Sequence, residues 1–377
     1  MNITIPYLSL LYSIIFGAYI FVNQYIMILY PDIGYYLEST LFFTMFIVTL
    51  LSQQISKCLI NIKYTIIFGC SCILIWLLSF NFSNHYIVFI TTIICGIGNA
   101  LFRAQQYIWI KNLIQDDDIL LNMSISISIF NTYGIISSII GFIFIFINFP
   151  LHVILNVFSF LVFVCLFLMI FIKHTNTQDN NNNFYYEFAS SVWLLYPFTL
   201  LQSLDTAIIY TILPSLLSEN SINIQVIAIF SLVYSFCLPC ISFLTGKLFK
   251  LMPLIILLLV SLIISIIIVI LMYLIFYYNI VHINYYSVII LGLVFSLHEG
   301  IVPPINFTLL GLHFSNNIFY VQRIFHCVST SLIILLMAYI PYYYFAISLV
   351  IVNILVIIFY TMFYKIKIKK KIEYDII

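Results

Sequence analysis

Charge is what this chain has least of: 7% of its 377 residues are Asp, Glu, Lys or Arg, and its formal net charge is +1. A soluble domain carries about 25% charged residues, so with 64% hydrophobic residues and a mean hydropathy of +1.19 water-soluble globular packing is excluded. The catalytic signatures of soluble enzymes are missing too. There is no Walker loop, dinucleotide-binding glycine pattern, HExxH or nucleophile elbow, which disfavours an ATP-driven pump or an enzyme, and no TVGYG-type filter, which disfavours a potassium-channel pore. Extracellular disulfides are not expected, because all eight cysteines lie in or beside apolar stretches. Cys237 and Cys240 flank a proline in one such stretch and have no partner His or Cys pair at ligand spacing, so packing is expected there and no metal or cofactor is foreseen. The first apolar stretch has no basic leader or small-residue cleavage site, so it is expected to stay as a helix.

Long apolar stretches fill the rest. A hydrocarbon core about 30 Å thick needs a helix of roughly 20 apolar residues, and only closed backbone hydrogen bonding survives inside it. Twelve spans are predicted, at 5–30, 36–56, 63–81, 86–112, 119–147, 150–173, 190–217, 222–246, 251–278, 284–312, 317–340 and 343–364. Only one connection is long and polar, around the Asn-rich TNTQDNNNN. The expected organisation is therefore a six-helix half at 1–173, a cytoplasmic linker at 174–189, a second six-helix half at 190–364 and a basic cytoplasmic tail at 365–377. Eleven of the 13 basic residues flank one side of this arrangement: Lys57, Lys63, Lys111, Lys173, Lys247, Lys250, Lys365, Lys367, Lys369, Lys370 and Lys371. The positive-inside rule then puts both termini in the cytoplasm, in a plasma or internal membrane. Membrane lipid is the expected surrounding, and no nucleic acid partner is foreseen.

The halves are weakly alike: LLYSIIFGAYIFVNQYIMIL of the first span runs beside LLYPFTLLQSLDTAIIYTIL of the seventh. GIGNALFRAQ of the fourth likewise runs beside GLVFSLHEGI of the tenth, which makes Arg103 and Glu299 equivalent. Arg103, Asp205 and Glu299 each fall near mid-span, where a charge costs about 2.5–3.5 kcal/mol on insertion scales. Such groups face a bundle interior or a wet cavity and pair with one another, so these three are expected to neutralise each other in part. Asn99, Arg103 and Gln106 recur at i, i+4 and i+7 on one helical face, with Gly96 and Gly98 allowing close approach. Thr199, Gln202 and Asp205 share a stripe of the seventh span, Glu299 and Asn306 share a face of the tenth, and Asn23 and Gln24 add polarity to the first. These residues are the candidate solute- or ion-binding set; the competing reading is a static network that locks the bundle. His298 beside Glu299 suggests a proton relay, and Pro303 and Pro304 suggest a bend suited to gating or a fixed kink. Arg323 and His326 are expected to anchor the eleventh span at the cytoplasmic interface.

GIGNALFRAQQYIWI followed by SIFNTYGIISSIIG resembles the fourth and fifth helices of the uncoordinated-93 family, a branch of the major facilitator superfamily. HEGIVPPINFTLLGLHF and FYVQRIFHCVSTSLIIL resemble its tenth and eleventh, and residues 41–78 are similar to its second and third in order and spacing. Two departures stand out. SQQISKCLINIKY keeps only the basic character of the Gly, Asp and Arg loop common in the superfamily, and the acidic first-helix residues of many proton-coupled members are absent. The resemblance implies an all-α integral membrane protein of 12 transmembrane helices in a 6+6 pseudo-symmetric bundle, with a central cavity lined by helices 1, 4, 7 and 10. It implies a secondary transporter of a small polar or charged solute or, alternatively, a non-transporting membrane-protein partner that regulates a channel or escorts a receptor.

Overall fold

The computed structural model describes residues 4–58, 62–82, 84–113, 132–171, 193, 196–219, 224–248, 251–278, 283–313 and 318–375. Side chains in these stretches are described except at 4–9, 52–58, 62, 104–113, 133, 218–219, 224, 308, 311–313, 319–320 and 366–375. Twelve helices and no strand occur among the described residues. They are α1 (Thr4–Leu29), α2 (Gly34–Cys58), α3 (Ile62–Ser79), α4 (His85–Leu113), α5 (Tyr133–Phe146) and α6 (Leu151–Ile170). In the second half, α7 runs through Tyr196–Ala207, a π turn at Ile208–Ile212 and Leu213–Glu219. It is followed by α8 (Ile224–Leu248), α9 (Leu254–Met272, with a π turn at Tyr273–Tyr277), α10 (Tyr285–His313), α11 (Ile318–Met337) and α12 (Tyr342–Asp375). The π turn of α7 has a local cause. Pro214 has no N–H for the carbonyl of Tyr210, and Thr211 donates its hydroxyl back to Ala207, so the turn between them widens.

Two boundaries differ from expectation. Trp193 lies in a 3-10 turn and α7 begins at Tyr196, short of the helix predicted from 190. The basic segment after 364, expected as a tail, continues α12 to Asp375, because IKIKKKIEYD contains no glycine or proline to stop a helix. The Asn-rich stretch 174–189 and the start of the fifth span lie outside the described residues.

The helices pack as a repeat. In the first half α1 meets α5 and α6, α2 meets α4, and α3 meets α4 and α6; moved six helices on, α7 meets α11 and α12, α8 meets α10, and α9 meets α10 and α12. The principal contacts between halves, α2 with α11 and α5 with α8, exchange under the same shift. Burial obeys it as well: 89% of the span is buried in both α1 and α7, while the peripheral α6, α9 and α12 are 44%, 33% and 39% buried. Nine of the helices are long and apolar enough to cross a membrane, and Lys63–Ser79, Gly134–Phe146 and Val321–Met337 are shorter apolar stretches. Phe160, Phe163 and Phe167 on α6, and Leu259, Ile263, Ile266 and Ile270 on α9, point outward, as hydrocarbon solvent allows.

Small residues set the close approaches. Gly98 and Gly69 meet backbone to backbone: a Cβ on Gly98 would lie 2.4 Å from both the Gly69 carbonyl oxygen and Cys72 Cβ. Gly96 faces Thr44 and the Leu41 carbonyl at 2.8 and 2.9 Å by the same measure, so α4 is wedged between α2 and α3. At the other end of α3, Lys63 Nζ donates to the Ile170 carbonyl at 2.6 Å and caps α6. Gly98→Ala is expected to lower unfolding free energy by about 1–3 kcal/mol, because backbone has to move. Gly292→Ala, whose Cβ would meet a movable Val233 methyl at 3.2 Å, should cost less. Thermal unfolding of the two purified variants checks the order.

Candidate functional site

The sequence-predicted polar residues divide into a hydrogen-bonded chain in the second half and a set spread over α1, α4, α7 and α10. In the second half, His298 Nδ1 of α10 lies 3.0 Å from both carboxylate oxygens of Asp205 on α7. His298 Nε2 is 3.0 Å from Asn353 Nδ2 on α12, and the same amide nitrogen donates to Ser261 Oγ on α9 at 3.0 Å. An amide N–H aimed at Nε2 requires a lone pair there, which places the ring proton on Nδ1, facing Asp205. Asp205, His298 and Asn353 are fully buried. Four helices of one half are tied by this chain, in which Asn353 Oδ1 is the one amide oxygen left without a partner.

This arrangement revises two expectations. His298 does not pair with its neighbour Glu299, because adjacent residues on a helix point about 100° apart; Glu299 Oε2 instead accepts from Tyr234 of α8. Nor do the three mid-span charges neutralise one another by direct contact. Asp205 is held by His298, and Glu299 makes no ion pair with Arg103, although their charges act on each other at longer range.

Arg103, Gln202 and Glu299 are half-buried. The Arg103 guanidinium lies over the Phe16 ring of α1, 3.9 Å from its centroid, a cation–π contact between central helices. Gln202 Oε1 accepts from Gln322 Nε2 of α11 at 3.2 Å. Asn99 on α4 and Asn306 on α10 are fully buried, and neither amide has a hydrogen-bond partner. On α1, Asn23 is buried beside Tyr19, and Gln24 Oε1 accepts from Ser231 of α8 at 2.6 Å, linking the halves. Thr199 is buried on α7. Gln106 belongs to α4, but its side chain lies outside the described residues. Pro303 and Pro304 are buried within a helix that continues through both to His313; their missing N–H groups release the carbonyls of Glu299 and Gly300 from the helical ladder.

Arg323 and His326 do not anchor an interface. Both are buried, 5% and 3% exposed, because α11 packs along α2 of the other half. Arg323 Nη2 is 4.0 Å from Met45 Sδ, the His326 ring meets Phe42 edge-on at 6.3 Å, and His326 Nδ1 is 3.1 Å from Ser203 Oγ. Sequence reading also passed over Glu38 and Asn353. Glu38 is fully buried on α2, and neither carboxylate oxygen has a hydrogen-bond partner. A lone asparagine in an otherwise apolar span was the available signal for Asn353. A cavity of about 140 Å³ near the α1–α2 turn is lined by Tyr35, Ser215, Met337 and Tyr342, and reaches none of these charges.

No family model and no curated protein sequence matches the chain. Solved structures do. A major facilitator superfamily transporter, FucP, in the outward conformation is similar at a TM-score of 0.65 and 11% identity, over 95% of this chain and 98% of that one. A variant of the E. coli fucose:proton symporter FucP is similar at 0.65 and 12% identity, over 94% and 96%. A bacterial homologue of the iron transporter ferroportin in its outward-facing state is similar at 0.65 and 14% identity, over 96% and 98%. The chain therefore shares the fold of these major facilitator superfamily structures, an all-helical bundle with twelve helices among the described residues.

If the α7–α10–α12 chain is a structural lock, His298→Ala should cost about 3 kcal/mol, because Asp205 is left buried without its donor. A cycle of His298→Ala, Asp205→Asn and the double variant should give a coupling of about 1–3 kcal/mol in denaturant unfolding of the purified protein.

Proposed function

We propose that this chain is a secondary transporter that moves a small polar or charged solute by rocking residues 1–173 against 190–364 around a site between α1, α4, α7 and α10. One observation carries the reading. Arg103 and Glu299, opposite in charge and equivalent in the repeat, are half-buried on the central helices of the two halves, where a lipid-facing charge would be costly. Arg103 would attract an anionic group, and Glu299 a cationic group, a coupling ion or a proton. Gln202, Asn99 and Asn306 would supply neutral hydrogen bonds, with Gln106, Asn23 and Gln24 beside them. The freed carbonyls at Glu299 and Gly300 would favour movement at Pro303 and Pro304. Asp205 and His298 would keep the second half rigid.

The basic residues at the ends of the even-numbered connections support cytoplasmic termini. The helix 4–5 and 10–11 motifs support the uncoordinated-93 branch within the superfamily. No catalytic role is proposed. The test is solute-dependent thermal stabilisation of the purified protein against a broad metabolite panel, repeated with Arg103→Gln. A solute at 100 times its Kd adds about 2.7 kcal/mol to the folded state. The expected result is a stabilising solute whose effect and cellular uptake are lost in Arg103→Gln while its surface level persists. Normal uptake by that variant would remove Arg103 from the site. Absence of any stabilising solute, with one stoichiometric membrane protein retained through purification, would favour the regulatory partner.

A further inference from the structure

Arg323, buried between the two halves, has no counter-charge among the described residues, which points to the ligand. Arg323 lies on α11 about one and a half turns from the helix start, and its contact across the seam is a thioether, Met45 Sδ at 4.0 Å. Its Nε has no hydrogen-bond partner, and no carboxylate among the described residues lies within ion-pair distance of it. A buried guanidinium is kept inside a membrane bundle when something offsets its charge. Among the described residues, Asp205 is taken by His298 and Glu299 by Tyr234, and Glu38, buried on α2, has no hydrogen-bond partner and makes no ion pair with Arg323. Arg103, from α4 of the opposite half, is the second guanidinium here. Helices α4 and α11 touch, and both arginines lie close enough to His326 and Cys327 to act on them electrostatically.

We infer that Arg323 and Arg103 form an oxyanion subsite spanning the two halves, and that the transported solute carries a carboxylate, phosphate or sulfate group. A guanidinium offers a planar fork of N–H donors that fits two oxygens of such a group, and two forks from opposite halves would grip it across the seam. His326, braced by Ser203, and the Gln202–Gln322 pair on the same pair of helices would frame the remainder of the solute. This assignment rests on the transporter reading, and it replaces an unspecified polar solute by an anionic one.

The test uses the full chain in nanodiscs and in proteoliposomes, with succinate, inorganic phosphate and sulfate as probes, sodium chloride at equal ionic strength as reference, and uncharged and cationic solutes as controls. At least one oxyanion should raise the melting temperature saturably and exchange across the proteoliposome membrane. Arg323→Gln should weaken its binding by about tenfold or more, and Arg323→Lys should recover part of the loss, since it keeps charge without the fork. Without ligand, Arg323→Gln should melt no lower than the parent, because it removes a buried charge that nothing offsets. A structural arginine would behave oppositely: the variant would melt lower, and no oxyanion would stabilise the parent, which overturns the proposal. Uncharged or cationic solutes that bind and exchange equally well in Arg323→Gln would overturn the anion assignment and leave the transporter reading standing. Failure of every solute to bind or exchange would overturn both.

Discussion

Hydrocarbon supplies no hydrogen-bond partner and no counter-charge, and the rest of this structure depends on that constraint. It forces the backbone into helices, turns the apolar faces of α6, α9 and α12 outward, and leaves each interior polar group to be satisfied by another helix or by something that enters from water. The Asp205–His298–Asn353–Ser261 chain takes the first course. Arg323 and the amides of Asn99 and Asn306 do not, since protein atoms leave them with unmet donors. In water such a difference would mean little, because solvent would fill the gaps; in a bilayer each unmet donor carries a cost.

The repeat gives the same difference a geometric meaning. Every principal contact within one half recurs six helices later, and the two seams exchange with each other, so the halves are similar bodies joined along α2–α11 and α5–α8. The locked chain lies wholly inside one of them. Arg103 and Arg323 lie on different bodies, on helices that touch. Polar groups that stabilise a half should stay within it, and groups that read a ligand during rocking should straddle the seam.

Element number, order and most boundaries were legible in the sequence, because bilayer thickness and the composition of the breaks dictate them. The approximate equivalence of α4 and α10 was visible for a related reason: a charge at mid-span is conspicuous against Ile and Leu. The pairings were not legible. His298 seemed to belong with Glu299 because they adjoin, whereas its partners are 93 and 55 residues away on α7 and α12. Arg323 and Glu38 sit near the starts of their helices, where an isolated span would let a charge reach the interface; packing of α2 along α11 closes that route for Arg323. Exposure at a helix end is a property of the neighbours, and hydropathy along one span carries no information about them.

The seam itself is lightly held at one end. Tyr35 donates to Ser215 at 3.1 Å, Ser331 Oγ to the Ser39 carbonyl at 2.9 Å, and the hydroxyls of Tyr36 and Tyr339 are 3.1 Å apart, all where α1–α2, α7–α8 and α11–α12 turn. Each neutral hydrogen bond contributes about 1 kcal/mol net, and hydroxyls that part there would meet water, which replaces the bond. Parting Asp205 from His298 would cost far more, because the carboxylate would stay in a dry interior. A rocking motion would therefore break the seam before it broke either half, and an anion held by Arg103 and Arg323 would add attraction across that same seam. The ligand would then favour the closed arrangement by the difference in its affinity for the two states, which is what coupling a solute to the motion of the halves requires.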